Sequence, residues 1–345
     1  MILPPSSLTR RHTLLGLASA SLVAAPSLAR AQTVPIKVGF VPVIGAASLF
    51  VLDQAGWARD AGLALTTTKF DSGPAAVQAF ASGTFDVLAI GVAPVAVARA
   101  KGLDASVIAA AGIGGSAFIA APELAARFEA AGGAPAPALA AFRKETGRRA
   151  RIATLPPGGV PTVALNHWFF KLSKVDRADV EIVAIGIEAA QQAMLAGAVD
   201  GATLLEPSAT IAQTRNPKLR RITTALEMFP NAPGVVLAVS RRFLAEQRAA
   251  VVSLVKLHAR ATQLTVDKPA EAAPYVAAVL GGGLVDPSTM AQAITSGALK
   301  FVADPHLILE PTKELLAYEV TLGDFTQAPS TEGLFDLSVW DEAMK

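Results

Sequence analysis

The sequence predicts an α/β protein of two lobes, each a mostly parallel sheet flanked by helices, with a helical C-terminal region. Three observations predict it. From Ile36 to Thr224, short apolar runs alternate with amphipathic stretches across Gly- and Pro-rich turns, the pattern of β-α-β units. That pattern is written twice. Ala75–Pro94 (AAVQAFASGTFDVLAIGVAP) returns 114 residues later as Ala189–Ser208 (AAQQAMLAGAVDGATLLEPS), matching at Ala75/Ala189, Ala76/Ala190, Gln78/Gln192, Ala79/Ala193, Gly83/Gly197 and Asp86/Asp200. The offset also holds upstream, where Val38 falls on Ile152, Pro42 on Pro156, Gly45 on Gly159 and Ser48 on Thr162. Two copies are too few for a solenoid and fit two similar lobes. Third, the pattern beyond Ser240 is almost wholly helical.

Taken in order, Ile36–Val41 is the opening strand, Pro42–Ser48 a loop and Leu49–Asp60 an amphipathic helix stopped by Gly62. Leu63–Phe70 is a second strand. Asp71-Ser72-Gly73-Pro74 turns the chain into a helix that runs to Ser82-Gly83, with Pro74 suited to its first position. Phe85–Ile90 is a buried strand, Gly91-Val92-Ala93-Pro94 opens a helix through Lys101, and Ala105–Ala111 is a further strand. Short loops between strands and helices imply right-handed crossovers and parallel pairing. Phe118–Ala121 reads as a crossing strand, and helices Pro122–Ala131 and Ala138–Thr146 flank a Pro/Gly/Ala linker.

The second copy follows: strand Arg151–Leu155, loop Pro156–Pro161, helix Thr162–Ser173, strand Val180–Ile185, helix Glu188–Ala196 and strand Ala202–Leu205. Strand Leu219–Thr224 leads to the crossing run Val235–Val239. The helical tail has expected breaks at Pro269, Gly281–Gly283, Pro287 and Pro311. The simplest packing returns the chain across Val235–Val239, so that the tail covers the first lobe. Lobe one is then residues 36–113 with 237–345, lobe two is residues 114–236, and the two crossings form a hinge.

The whole chain sets further bounds. At 345 residues, 52% hydrophobic and 17% charged, it can bury a large core. The net charge of +2 includes Arg10, Arg11 and Arg30 in an acid-free N-terminus. Without them 27 basic residues stand against 28 acidic ones, which gives no basic nucleic-acid surface. There is no cysteine, which excludes disulfides, thiolate metal sites and a cysteine nucleophile. Arg10-Arg11, the weakly apolar run Thr13–Ala25 and Ala29-Arg30-Ala31 have the order of a secretory signal over residues 1–31, cleaved before Gln32. The paired arginines and mild apolar run make it resemble a twin-arginine signal. The run falls short of the roughly 20 residues a membrane span needs. The mature protein is expected to be soluble and exported.

In open α/β sheets the binding crevice lies beyond the carboxyl ends of the strands. Five loops belong there, 42–48, 71–74, 91–94, 156–162 and 206–208. Their candidate ligand contacts are Val43, Ile44, Gly45, Ser48, Asp71, Ser72, Gly73, Val92, Ala93, Gly159, Val160, Thr162 and Glu206. Four of the loops lead into helices, whose N-termini favour an anionic group. Asp71 and Glu206 are the only charged residues on them. They suit an amine, while ordinary turn or strand-end roles are the competing reading. Catalysis has little support. His167 sits mid-helix beside Trp168 and Phe169, and His258 and His306 lie in the tail with no partner at metal spacing. No nucleophile elbow, P-loop or dinucleotide fingerprint is present. Asp86 and Asp200 read as turn and cap residues. No cofactor and no metal are expected.

Val38-Gly-Phe-Val-Pro-Val43, Asp71-Ser-Gly-Pro74, Ala81-Ser-Gly-Thr-Phe-Asp-Val87, Thr154-Leu-Pro-Pro-Gly-Gly-Val160, Leu195-Ala-Gly-Ala-Val-Asp200 and Glu206-Pro207 together resemble the periplasmic solute-binding proteins of ABC importers. The branch is the nitrate/sulfonate/taurine one, related to the pyrimidine-precursor-binding proteins. The resemblance implies a two-lobed type II binding protein, not an enzyme, that acts as a periplasmic monomer. Its partners would be a small-molecule ligand held between the lobes and a membrane permease. The branch points to an organic, sulfonate- or taurine-like anion, and Val43, Ile44, Val92 and Val160 make the expected pocket apolar. A thiamine-pyrimidine-like or aromatic heterocycle, a ligand-sensing role and an exported enzyme stay open as alternatives.

Overall fold

Apolar runs become strands and amphipathic stretches become helices in the expected order. The computed structural model describes residues 1–2, 33–323 and 326–345, so the expected signal segment, apart from its first two residues, lies outside the described residues. Thr33–Lys345 forms one unit. Its strands are β1 (Val34–Phe40), β2 (Leu63–Lys69), β3 (Val87–Gly91), β4 (Ala105–Ala110), β5 (Ile113–Gly114), β6 (Ser116–Ala120), β7 (Ala150–Thr154), β8 (Val180–Ala184), β9 (Gly201–Leu205), β10 (Arg220–Thr224), β11 (Val235–Ser240) and β12 (Leu299–Lys300). The first sheet has the order β2-β1-β3-β11-β4 and the second β10-β6-β9-β7-β8, while β12 pairs with β5. Pairing is parallel among β1, β2 and β3 and among β7, β8 and β9. It is antiparallel where β11 lies between β3 and β4, and where β6 lies between β9 and β10. Central strand β3 and edge strand β4, which the tail covers, are buried on both faces, whereas the other edge strand, β2, carries three exposed threonines.

The repeat is a repeat of registers. Val38 and Gly39 pair with Val87 and Leu88, and Ile152 and Ala153 pair with Gly201 and Ala202 at the same offset. Asp86 and Asp200 explain why an aspartate recurs. The Lys37 amide donates to the Asp86 carboxylate at 2.9 Å, and the Arg151 amide donates to that of Asp200 at 2.8 Å. Each aspartate thus fastens the start of one strand to its neighbour, and Asp200 also receives both Arg148 Nη1 and Nη2. The copies slip once. Ile36 faces Leu65, but Ala150 faces Val180, one residue further on than the offset gives. The intervening helix Val160–Asn166 continues as a π-helix, His167–Leu172, the form that a single inserted residue produces.

Other departures are local. The expected helix Leu49–Asp60 is two, Ala47–Gln54 and Trp57–Asp60, separated by Gly56 at φ 78°. Pro311 does not break the tail. It lies in the first turn of Leu309–Leu322, where a missing N–H costs no intrahelical bond. The tail helices Arg248–Asp267 and Pro269–Leu280 pack on Ala47–Gln54, Leu337–Ala343 packs on β4, and Pro287–Ile294 packs on Ser208–Arg215 of the second body. Phe118, Phe128, Trp168 and Phe169 form an aromatic core in the second. The two crossings run side by side: Gly234 N–H donates to the Gly112 carbonyl and Gly114 N–H to that of Ala232, each at 2.9 Å. A methyl group at Gly234 would stand 2.6 Å from the Gly114 carbonyl oxygen, so only glycine permits this approach.

His258 pins the tail to the first sheet. Its Nε2–H donates to the Ala110 carbonyl at 2.6 Å, which leaves Nδ1 to accept from the Ser48 hydroxyl at 2.7 Å. Full burial disfavours the imidazolium and lowers the pKa to about 4, against the Ala110 bond that raises it. Above the unfolded value near 6.5, imidazole is neutral in both states and pH has no effect through it. Below that, the unfolded chain takes up a proton that the folded one refuses. Stability should therefore fall as pH drops from about 6.5 to about 4, by about 3 kcal/mol in all. His258→Gln, although less stable at neutral pH, should flatten that slope in urea melts. An unchanged slope would refute the assignment.

Candidate functional site

The carboxyl ends of both sheets face one cleft. From the first body come Val41 and Val43 after β1, Gly45, Gly73, Gly91 at the end of β3, Pro94 and Val235. From the second come Ser116, Leu155 after β7, Gly159, Val160, Pro161, Ile187 and Leu205 at the end of β9. The crossings add Gly114, Gly115 and Gly234, and the tail adds Leu299. The cavity between them has a volume of about 50 Å3. Four helices begin at the rim: Gly73–Ala81, Val92–Ala100, Val160–Asn166 and Ile187–Leu195.

Of the residues expected from sequence, Val43, Gly45, Gly73, Gly159 and Val160 line the cleft together. The others are placed elsewhere. Ile44 is fully buried, and its N–H donates across to the Glu206 carbonyl at 2.7 Å. Ser48 points away, its hydroxyl held by His258. Val92 and Ala93 are in the core, with the Val92 N–H bound to the Gly234 carbonyl. Ser72 caps the helix Gly73–Ala81 by accepting from Ala75 N–H. The Thr162 hydroxyl donates to the Leu155 carbonyl at 2.5 Å. His167 is packed against Phe229 and Tyr318 with Nδ1 on the Met228 carbonyl, and burial lowers its pKa. His306 sits beside Asp304 at 2.7 Å.

Both acids of the five loops are engaged by the protein itself. Asp71 reaches from the first body to the start of helix Ile187–Leu195, where its carboxylate accepts from Glu188 N–H at 3.4 Å and its carbonyl from Ile187 N–H at 3.3 Å. Beside it, Lys69 Nζ meets Glu188 Oε1 at 2.5 Å, so the mouth is bridged twice. Glu206, 1% exposed and followed by a cis proline, receives Thr210 N–H at 3.0 Å and Arg221 Nη2 at 2.7 Å. Gly91 measures how closely the bodies approach, since a methyl group there would stand 3.2 Å from Val160 Cγ2 of the other body.

Sequence reasoning missed Ser116, Ile187, Leu205 and Leu299. Ser116 lies two residues before the expected crossing strand, Leu205 one before the loop 206–208 and Ile187 one before the expected helix Glu188–Ala196, and the repeat itself could have found Ile187, which falls on Gly73. Leu299 belongs to a two-residue strand inside a helical tail, too short to leave a periodic signal. Among the described residues no group of three or more His, Asp or Glu could hold a metal, and no helix is long and apolar enough to cross a membrane.

This is the fold of the two-lobed periplasmic binding proteins. A ligand-binding component of an ABC-type import system from Staphylococcus aureus, with zinc bound, superposes with a TM-score of 0.74 at 13% identity, covering 90% of this chain and 99% of that one. The periplasmic nitrate-binding protein of Synechocystis PCC 6803 gives 0.74 at 14% identity, with 90% and 88% covered. The alkanesulfonate-binding protein of Xanthomonas axonopodis pv. citri, bound to MOPS, gives 0.64 at 18%, with 84% and 94% covered. No curated protein matches the sequence. The family model described as the NMT1-like family matches residues 29–281, and the chain belongs to that family.

Proposed function

We propose that the mature chain is the substrate-binding component of an ABC importer, capturing a small organic solute between its lobes and passing it to a membrane permease. The observation that carries this reading is the cleft itself, built in matching parts from the strand ends of both bodies, with neither acid of its loops free for chemistry. The import-system, nitrate-binding and alkanesulfonate-binding neighbours support it. The protein works as a monomer in the periplasm, exported by the twin-arginine signal over residues 1–31, and it is not an enzyme. Lobe one is 36–113 with 237–345 and lobe two is 114–236, moving about the paired crossings. Solute closes the cleft because only the closed form touches it from both sides.

The family branch favours a sulfonate- or taurine-like anion. The walls favour the other ligand class, an aromatic or thiamine-pyrimidine-like heterocycle, because ten of the cleft's side chains are apolar and seven of its positions are glycine. Thermal denaturation of the mature protein with sulfonates, nitrate, carboxylates and thiamine-pyrimidine precursors tests the function. A true ligand at about 100 times its Kd adds about 2.7 kcal/mol of stability. Failure of every class to stabilise the fold would count against solute binding.

A further inference from the structure

Resting on that reading, we infer that the solute is uncharged and carries one polar group that meets the Ser116 hydroxyl within an otherwise apolar body. Among the described residues no ionisable side chain lines the cleft. The charges nearest to it are committed. Asp71 is tied to the helix start at Ile187 and Glu188, Lys69 is paired with Glu188, and Glu206 is paired with Arg221 and Thr210 N–H. A solute of either sign would thus be enclosed without a counter-charge, the arrangement that proteins avoid.

Helix ends do not repair this for an anion. The N-terminus of Ile187–Leu195 already faces the Asp71 carboxylate, which would repel a second negative charge, and that of Gly73–Ala81 is capped by Ser72. The two that remain at the rim are each worth at most about thirtyfold in affinity. Ser116 is the exception to the apolar wall. It is 2% exposed and is the one polar side chain among the described residues that line the cleft. A polar group of a solute held in this cleft therefore has Ser116 as its side-chain partner. A single hydroxyl, able to donate and to accept, suits an amide, sulfone or ring nitrogen.

The test uses charge-matched probes in titration calorimetry of the mature protein: benzamide against benzoate and benzylammonium, and methyl phenyl sulfone against benzenesulfonate. The neutral member of each set should bind at least about a hundredfold more tightly than its ions. Ser116→Ala should weaken the neutral probe about three- to tenfold, the measure of one neutral hydrogen bond. Gly91→Val, which obstructs the cleft, should abolish binding, and Gly91→Ala serves if the valine variant fails to fold. Ions binding as tightly as their neutral partners, and losing that binding in the Gly91 variant, would overturn the uncharged class while leaving the solute-binding reading intact. Binding that survives in the Gly91 variant would overturn both, since the solute would then sit outside the cleft. No binding by any probe overturns the inference.

Discussion

Gly91→Val should hold the two bodies apart and lower solute affinity by at least about a hundredfold. Its added carbons would project at Val160 of the opposite body, already 3.2 Å from the first of them, while the backbone at φ −59° tolerates any residue. Apparent affinity scales with the fraction of molecules able to close, so emptying the closed state reduces binding in addition to the space the valine takes in the cleft. Closure can also be read without a ligand. Lys69 and Glu188 are close enough for a carbodiimide to join them directly. The wild-type chain should cross-link there and the variant should not. Equal yields from both would mean that Gly91 does not limit closure.

Arg221→Ala should be the more damaging change to the fold, at about 3 kcal/mol. Removing the guanidinium strands the Glu206 carboxylate, 1% exposed, with only Thr210 N–H for company, and also cuts the 2.9 Å bond from Arg221 Nη1 to the Ser296 carbonyl in the tail. At roughly 2–4 °C per kcal/mol, the melting temperature should drop by about 6–12 °C. The double variant Glu206→Gln with Arg221→Ala should recover part of the loss, since no buried charge is then left alone. If the double variant is as unstable as the sum of its parts, the pair is not coupled as drawn.

Backbone periodicity was legible in the residues, and side-chain destinations were not. The offset that pairs Asp86 with Asp200 also fixes which strands and helices correspond, because hydrophobic period and turn chemistry are local. The glycines of the strand-end loops were legible for the same reason. Ser48 was misplaced because its partner, His258, lies 210 residues on, and nothing near Ser48 announces a buried imidazole. Glu206 stood in a loop by sequence, yet its charge is consumed by Arg221 on β10, two strands away across β6. Asp71 was legible as a rim acid, but its engagement of Glu188 N–H depends on how the two bodies meet.

The places of β6 and β11 have a consequence for the ancestry of the chain. Each copy supplies four parallel strands to its own sheet, then sends a fifth into the other, where it is inserted between the third and the fourth. Strand β6 follows the first copy and completes the second sheet, and β11 follows the second copy and completes the first. That is the connectivity of a strand-exchanged dimer whose two subunits have been joined into one polypeptide. Neither half is therefore a self-sufficient piece. A cut anywhere in residues 121–149 would leave the N-terminal fragment without the strand that separates β3 from β4, and the C-terminal fragment without the one that separates β9 from β10.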